Sequence, residues 1–186
     1  DERTQCQQLL DQCIQDEPDV VINQAAVLFK DQKYGEARAR YTEAMKMLGD
    51  LPELSYNIAL CHYKQKQYGA ALQNVASIIE KGVREHPELS VGSRTDGIEV
   101  RSVGNSPALR ETCLIEAFNL KAAIEFLGSN LEASKEALSD MPPREEEELD
   151  PVTLHNQALV HMDGEPNAGF RKLNFLLENP PYPAET

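Results

Sequence analysis

The chain has 186 residues, 41% of them hydrophobic, and a formal charge of −13 from 31 acidic and 18 basic residues. The composition supports a folded protein, but the acidic excess argues against nucleic acid or an anionic membrane surface as partner, because both require clustered lysine and arginine. We find no signal peptide and no apolar run near the length of a membrane span. The sequence starts at Asp1 within a helical pattern, so we expect a fragment of a longer protein.

A short sequence recurs after 34 residues. The segment Lys30–Ala37 resembles Lys64–Ala71, and the same offset relates Asn23 to Asn57. This is the period of tetratricopeptide repeats, in which each unit is a pair of antiparallel helices, A and B, joined by a tight turn. The sequence therefore predicts an all-α fold, a right-handed superhelical solenoid of tetratricopeptide helix pairs.

The residue types at equivalent positions support this prediction. Alanine recurs where helices A and B must approach closely, at Ala25 and Ala59 on the A helices and at Ala37 and Ala71 on the B helices. Proline at the start of each unit suits the first turn of a helix. Tyrosine and glycine recur at the predicted A–B turn, where we expect glycine to supply a backbone conformation that other residues avoid.

The repeat pattern divides the chain into segments. We predict repeats at 18–51, 52–83, 107–140 and 151–182, with 1–17 as helix B of a preceding repeat and 183–186 as the cut start of the next. Residues 84–106 form an irregular insertion, with partial strand alternation over 98–103. Residues 141–150 form an acidic, proline-containing linker. We interpret its glutamate run as solvated, the alternative being a contact with a basic partner or a cation.

Asparagine occupies the sixth position of every unit when Pro18, Pro52, Leu114 and Pro151 are each taken as position one. Asparagine is a mediocre residue for a helix interior, so its recurrence needs an explanation. On the concave face of a solenoid these amides can offer donors and acceptors to a peptide backbone. The alternative is that they bond to neighbouring helices within the array.

The neighbouring positions on this face are mostly apolar or aromatic, which suits a hydrophobic or proline-rich extended segment. The predicted peptide-binding groove comprises Ile22, Asn23, Phe29, Lys30, Tyr56, Asn57, Leu60, Tyr63, Phe118, Asn119, His155, Asn156 and Leu159. A chaperone-type adaptor for C-terminal peptides is the alternative, but it needs more cations than Lys30 and Lys64 supply. Two further possibilities are that these residues are core of a tightly wound superhelix, or that partners bind its outer face.

The chemistry of catalysis and metal binding has no recognisable pattern here. The four histidines are scattered, the four cysteines form no CxxC pair, and phosphate-binding glycine motifs are absent. We therefore expect reduced, packed thiols, no metal, no cofactor and no enzymatic activity.

Four segments resemble one family beyond the repeat consensus. They are Arg84–Gly92, Gly97–Gly104, Glu116–Glu125 and Glu148–Leu159, and the similarity extends across essentially the whole chain. The sequence resembles the tetratricopeptide-repeat subunit of the intraflagellar transport complex B core, the fleer family.

This resemblance implies a ciliary scaffold protein that wraps a proline-rich segment of another core subunit. It implies a location in the cilium or flagellum, at the axoneme and basal body, and in the cytoplasm. It also implies links to cilium assembly, to the kinesin motor or cargo, and to tubulin polyglutamylation, which we expect to be indirect.

Overall fold

The structure is a computed structural model that describes residues 2–89 and 102–178. The described residues contain no strand, so this part of the chain is all-α, as predicted. Two short 3-10 turns, Pro87–Leu89 and Glu146–Glu148, accompany the α-helices. The helices are α1 (Glu2–Asp11), α2 (Pro18–Lys30), α3 (Tyr34–Leu48), α4 (Pro52–Lys64), α5 (Tyr68–Glu85), α6 (Pro107–Glu111), α7 (Leu114–Leu127), α8 (Leu131–Ser139), α9 (Pro151–His161) and α10 (Pro166–Glu178).

The chain divides into two compact units, Asp1–Ala76 and Ser77–Thr186. In the first unit, α2 packs against α1 and α3, and α3 packs against α4. In the second, α7 packs against α8, α9 packs against α10, and the two first helices α7 and α9 also touch. Within each unit, consecutive helices therefore pack as the pairs expected of a tetratricopeptide-like helical solenoid.

Proline opens three of the first helices. Pro18, Pro52 and Pro151 lie in the first turns of α2, α4 and α9, where a missing backbone N–H costs nothing. The small residues of the first unit behave as predicted. Ala25, Ala37, Ala59 and Ala71 are all fully buried. They allow the helices of a pair to approach closely.

The predicted role of glycine at the turns is wrong. Gly35 and Gly69 lie in the first turns of α3 and α5, and neither has a positive φ. At these turns the left-handed residues are instead Gln32, Lys66 and Ser129, with φ of 62°, 59° and 61°.

The left-handed residues belong to a C-cap that recurs at three helix ends. The backbone N–H groups of Lys33, Gln67 and Asn130 donate to carbonyls five residues earlier, each at 2.9 Å. This is the Schellman arrangement, which requires a left-handed residue just past the helix end. The repeat therefore conserves the geometry of its turn without placing glycine at the strained position.

Several predicted boundaries shift. Helix α5 ends at Glu85 rather than at residue 83, and the segment predicted as a repeat at 107–140 begins with the short extra helix α6. Its first long helix, α7, begins at Leu114, the residue taken above as position one. Residues 90–101 of the insertion and the predicted repeat start at 183–186 lie outside the described residues.

The predicted linker at 141–150 is only partly solvated. Glu145, Glu146 and Glu147 are exposed, as expected of a solvated run, but Met141 and Pro142 are buried. The Arg144 side chain is only 3% exposed and lies 3.0 Å from a carboxylate oxygen of Asp150. The segment is therefore a folded connection, because a buried guanidinium needs fixed hydrogen-bond acceptors around it.

Candidate functional site

Helix α2 carries four of the predicted groove residues. Asn23 and Lys30 are exposed, whereas Ile22 and Phe29 are half-buried and pack against the hydrophobic core of the first unit. The Phe29 ring meets Tyr34 edge-on, with ring centroids 5.2 Å apart. Phe29 thus packs within the α2–α3 helix pair, while Asn23 and Lys30 present polar groups at the surface.

Helix α4 repeats this arrangement. Tyr56, Asn57, Leu60 and Tyr63 are all half-buried. The Tyr63 ring lies 5.9 Å from that of Tyr68, at the position equivalent to the Phe29–Tyr34 pair. Burial raises the pKa of the Tyr63 hydroxyl, with a further contribution from Tyr68. The two aromatic pairs therefore hold equivalent turns of successive repeats.

A groove of about 610 Å³ lies between α1 and α2. Its volume falls in the range of ordinary ligand-binding clefts. Two of the predicted residues, Asn23 and Lys30, line it together with Ala26 and Val27. The other wall comes from Cys6, Leu9, Leu10 and Cys13. The groove is thus mainly apolar, with an amide and an ammonium group on one side.

Asn23 and Asn57 have unused side-chain amides. Neither amide makes a hydrogen bond to any residue in the ranges 2–89 and 102–178. Each is at least partly accessible, Asn23 being exposed and Asn57 half-buried. These two asparagines therefore keep both a donor and an acceptor available to a bound chain.

The predicted residues of the second unit are more enclosed. Phe118 and Asn119 on α7 are 5% and 4% exposed, and Asn156 on α9 is 9% exposed. Phe118 belongs to a hydrophobic cluster with Leu114 and Ile115. His155 and Leu159 flank Asn156 and are half-buried. Phe118 is therefore a core residue, whereas α9 retains accessible side chains.

Asn119 and Asn156 bond to each other. The Asn156 Nδ2 group donates to Asn119 Oδ1 at 2.9 Å and to the Asn119 backbone carbonyl at 3.3 Å. Asn119 Nδ2 in turn donates to the Thr153 hydroxyl at 2.8 Å. For these two positions the structure matches the alternative stated above, in which the asparagines bond between neighbouring helices.

The hydrogen bonds continue from Thr153 to two charged groups. Its hydroxyl donates to Asp150 Oδ2 at 2.6 Å, and Arg144 Nη2 donates both to that oxygen at 3.0 Å and to the hydroxyl at 3.3 Å. Burial alone would raise the pKa of the Asp150 carboxyl. The hydrogen bonds from Thr153 and Arg144 outweigh burial, so its pKa lies below the ordinary value of 3.8. Asp150 is therefore a half-buried anion held by three donors, the Thr153 hydroxyl, the Thr153 backbone N–H and Arg144.

The preceding segment is attached to this region. The Ser102 hydroxyl donates to Glu148 Oε2 at 2.5 Å, and the Val103 N–H donates to the Pro143 carbonyl at 2.9 Å. The hydrogen bond from Ser102, followed by that from the Glu145 N–H, lowers the pKa of the Glu148 carboxyl. The end of the insertion is thus fixed to the 141–150 connection.

Sequence reasoning missed two groups of residues at the site. Leu9, Leu10 and Cys13 lie in the segment predicted only as helix B of a preceding repeat, yet they help to form one wall of the groove beside α2. Arg144 and Thr153 were not singled out. Their signal was the sequence Asp150-Pro-Val-Thr153, because an acidic N-cap followed by proline and a hydroxyl residue marks a fixed helix start.

The structure offers little for catalysis or metal binding. In residues 2–89 and 102–178, no three His, Cys, Asp or Glu side chains gather as a metal site. The four cysteines, all within the described residues, form no disulfide; Cys6 and Cys13 are exposed, and Cys61 and Cys113 are buried. Burial raises the pKa of the Cys61 thiol to about 11, so this thiol is a weak nucleophile. Of the helices described, none is long and apolar enough to span a bilayer.

Sequence comparison identifies close relatives. The chain is 58% identical over 178 residues to intraflagellar transport protein 70A of Xenopus tropicalis, covering 96% of this chain and 27% of the relative. It is 56% identical over 178 residues to the 70A protein of Danio rerio, covering 96% of this chain and 27% of the relative. For human intraflagellar transport protein 70B the identity is 55% over 172 residues, covering 92% of this chain and 26% of the relative.

No protein-family model matches the chain. The chain spans about a quarter of the length of the curated relatives it matches. The aligned part covers 96% of the chain, so the similarity is not confined to one or two repeats. Over nearly its whole length, the chain is therefore a member of the intraflagellar transport protein 70 family and corresponds to a segment of those proteins.

Proposed function

We propose that this chain is a protein-binding segment of an intraflagellar transport B scaffold, in which the first helices of the repeats hold an extended, proline-rich segment of another core subunit. The observation that carries the proposal is the pair of unused amides at Asn23 and Asn57, one repeat apart on α2 and α4. An extended chain exposes backbone groups at regular intervals. Amides repeated along an array can therefore hold it without reading its side chains.

The groove beside α2 supports the same proposal. Its lining is mostly aliphatic and includes Leu9, Leu10 and Val27, and its polar groups are concentrated at Asn23 and Lys30. Apolar walls suit proline and aliphatic side chains, and the amide can contact the backbone between them. The relatives are named intraflagellar transport proteins, which supports a role in cilium assembly and a ciliary location.

The two units take different parts in this proposal. Asn23 and Asn57 contact the bound segment directly. Asn119 bonds to Thr153 and Asn156, so it holds α7 and α9 together. In the second unit His155 and Leu159, beside Asn156, supply accessible contacts on α9.

The same geometry makes the rival functions less favourable. An adaptor for C-terminal carboxylates needs several cations beside the asparagines, and Lys30 and Lys64 are the exposed ones on α2 and α4. Lys64 already lies 6.0 Å from the centre of the Tyr63 ring. A tubulin-modifying activity would need a reactive cluster. We therefore propose that any influence on polyglutamylation, kinesin or cargo is exerted through complex assembly.

Calorimetric titration with proline-rich segments of the core partner subunit tests the proposal. We expect the wild-type protein to bind one of them. Asn23→Ala/Asn57→Ala should bind about 5- to 150-fold more weakly, because each lost hydrogen bond costs about 0.5–1.5 kcal/mol. Asn74→Ala is the matched control, because its amide bonds within its own helix to the Ala70 carbonyl. Equal affinities for wild type and the double variant would contradict the proposed contacts.

A further inference from the structure

A series of hydrogen bonds links Arg144 to Asn156 through Thr153 and Asn119, and its donors and acceptors can be arranged in only one way. The Asp150 carboxylate is ionised and can only accept, so the single hydroxyl proton of Thr153 must point to it, across 2.6 Å. The two lone pairs of that hydroxyl then accept from Arg144 and from Asn119, at 3.3 and 2.8 Å. Asn119 must therefore turn its NH2 group towards Thr153.

This orientation determines that of the next amide. With its NH2 group facing Thr153, Asn119 presents its side-chain oxygen to Asn156, which must donate its own NH2 across 2.9 Å. The Asn119 backbone carbonyl, 3.3 Å away, reinforces this choice because it too can only accept. The side-chain oxygen of Asn156 is left over. It accepts no hydrogen bond from the described residues, and although Asn156 as a whole is only 9% exposed, this oxygen is not fully buried.

We propose that Arg144 and Asp150, acting through Thr153 and Asn119, position Asn156 as an acceptor-only contact for the bound segment. This inference rests on the proposed function and makes it more specific. The segment must present a hydrogen-bond donor opposite α9, either the backbone N–H of a residue other than proline or a polar side chain. A continuous run of prolines has no such N–H and would leave this acceptor unpaired. Asn23 and Asn57, which have no such restraint, accept either kind of group.

The orientation itself is tested in the free protein. Proton exchange of the Asn119 and Asn156 side-chain NH2 groups, followed by NMR after asparagine-selective labelling, should be slow in the wild type. Thr153→Val keeps the shape of the residue but removes the hydroxyl, and Asp150→Asn removes the charge that directs the hydrogen bonds. Both should speed exchange at Asn156 at least about tenfold. Thr153→Ser keeps the hydroxyl and should leave exchange slow, whereas unchanged exchange in Thr153→Val would overturn the proposal.

The donor requirement is tested with the segment that binds the wild type. Methylating its backbone nitrogens one at a time should reveal a position where the wild type loses about five- to tenfold in affinity, the effect of one hydrogen bond. Thr153→Val should bind the unmethylated segment about five- to tenfold more weakly than the wild type does. Methylation of the sensitive nitrogen should cause no further loss of affinity in this variant. Thr153→Ser should behave as the wild type. If every methylation lowers the affinity of the wild type and of Thr153→Val by the same factor, the positioning role is refuted.

The two proposals fail in different ways. Absence of binding by the wild type would contradict the proposed function, while the exchange measurement would still decide the orientation of Asn156. Binding with slow exchange but without a sensitive backbone nitrogen or side-chain donor would retain the function and refute the donor requirement. A melting curve for each variant verifies that it is folded at the temperature of measurement.

Discussion

The four asparagines at the same repeat position differ in what surrounds them. Asn23 and Asn57 have no side-chain partner in the described ranges, whereas Asn119 and Asn156 bond to each other at 2.9 Å. The spacing differs too, because Asn119 and Asn156 are separated by 37 residues rather than by the 34 of the repeat. At one repeat position, therefore, the accessible asparagine amides are unbonded and the buried ones bond between helices.

The four thiols should react at two distinct rates. Cys6 and Cys13 are exposed, while Cys61 and Cys113 are buried, and burial raises the pKa of Cys61 to about 11. We expect iodoacetamide at pH 8 to modify Cys6 and Cys13 rapidly, and the other two only after unfolding. Mass spectrometry of the native protein and of the protein in denaturant measures this. Rapid labelling of Cys61 in the native protein would show that this part of the core is open.

Gly169 is predicted to be intolerant of alanine. A Cβ atom there would lie 2.9 Å from the Ala158 backbone carbonyl, so α10 would have to move away from α9. We expect Gly169→Ala to lower the free energy of unfolding by about 1–3 kcal/mol, as overpacking typically does.

Gly69→Ala is the matched control for this substitution. Gly69 also lies in a helix, but no atom is within 4 Å of its added Cβ. Alanine there should be neutral or stabilising by up to about 1 kcal/mol. Urea unfolding compares the two variants, and equal effects would mean that the close contact between α9 and α10 is absent.

At the scale of the helices, the turn between A and B is the most regular feature. Gln32, Lys66 and Ser129 each lie two residues before a B helix, and each has a left-handed backbone. A side chain in this conformation costs about 1–2 kcal/mol relative to the right-handed helix, a cost that glycine avoids. The Schellman hydrogen bonds at these helix ends offset it.

Glycine should therefore be favourable at these positions. We expect Lys66→Gly to raise the free energy of unfolding by about 0.5–1 kcal/mol. This is the difference between the backbone strain that glycine relieves and the extra conformational entropy that glycine loses on folding. Lys66→Ala separates backbone strain from the loss of the lysine side chain and should have little effect. If Lys66→Gly is destabilising in urea unfolding, the described conformation of this turn is wrong.

The 141–150 connection should make stability depend on acid. The pKa of Asp150 is lower in the folded protein than the ordinary value of 3.8, so the folded state favours the ionised carboxylate. This contribution is complete above the unfolded pKa and is lost as the pH falls through the folded pKa. Asp150→Asn should thus be less stable than wild type near pH 7, and the difference should shrink below about pH 4.

Urea unfolding of both proteins between pH 2.5 and 7 measures the effect of Asp150. Glu147→Gln is a suitable control, because Glu147 is exposed in the same connection and its change should alter stability little at any pH. A constant difference between wild type and Asp150→Asn across this range would contradict the bonded, ionised carboxylate.

For the molecule as a whole, the repeat period predicted the fold class because alanine and proline recur where helices meet and begin. The repeat period wrongly predicted that glycine supplies the unusual backbone conformation at the turn. A residue other than glycine is left-handed there, and the hydrogen bonds of the C-cap stabilise it. The repeat period also missed Arg144 and Thr153. Arg144 and Thr153 bond to each other and to Asp150 across the segment predicted as a linker, and the repeat pattern assigns no hydrogen bonds between side chains. The difference between open and bonded asparagines depends on burial, which sequence position alone does not give.

Thermal unfolding with and without the proline-rich segment that binds the wild type tests most directly whether Asn57 contacts that segment and Asn119 supports the fold. A bound segment stabilises the folded protein, and so raises its melting temperature, by an amount that grows with the logarithm of the ratio of segment concentration to Kd. Asn57→Ala should melt like the wild type when free and show a smaller ligand-induced shift, because the lost hydrogen bond weakens binding by about 0.5–1.5 kcal/mol. Asn119→Ala should melt at a lower temperature when free, because it removes one hydrogen bond from the buried Thr153 hydroxyl and one from the buried Asn156 amide. If Asn57→Ala instead lowers the free melting temperature and keeps the full shift, Asn57 is a structural residue and the segment binds elsewhere.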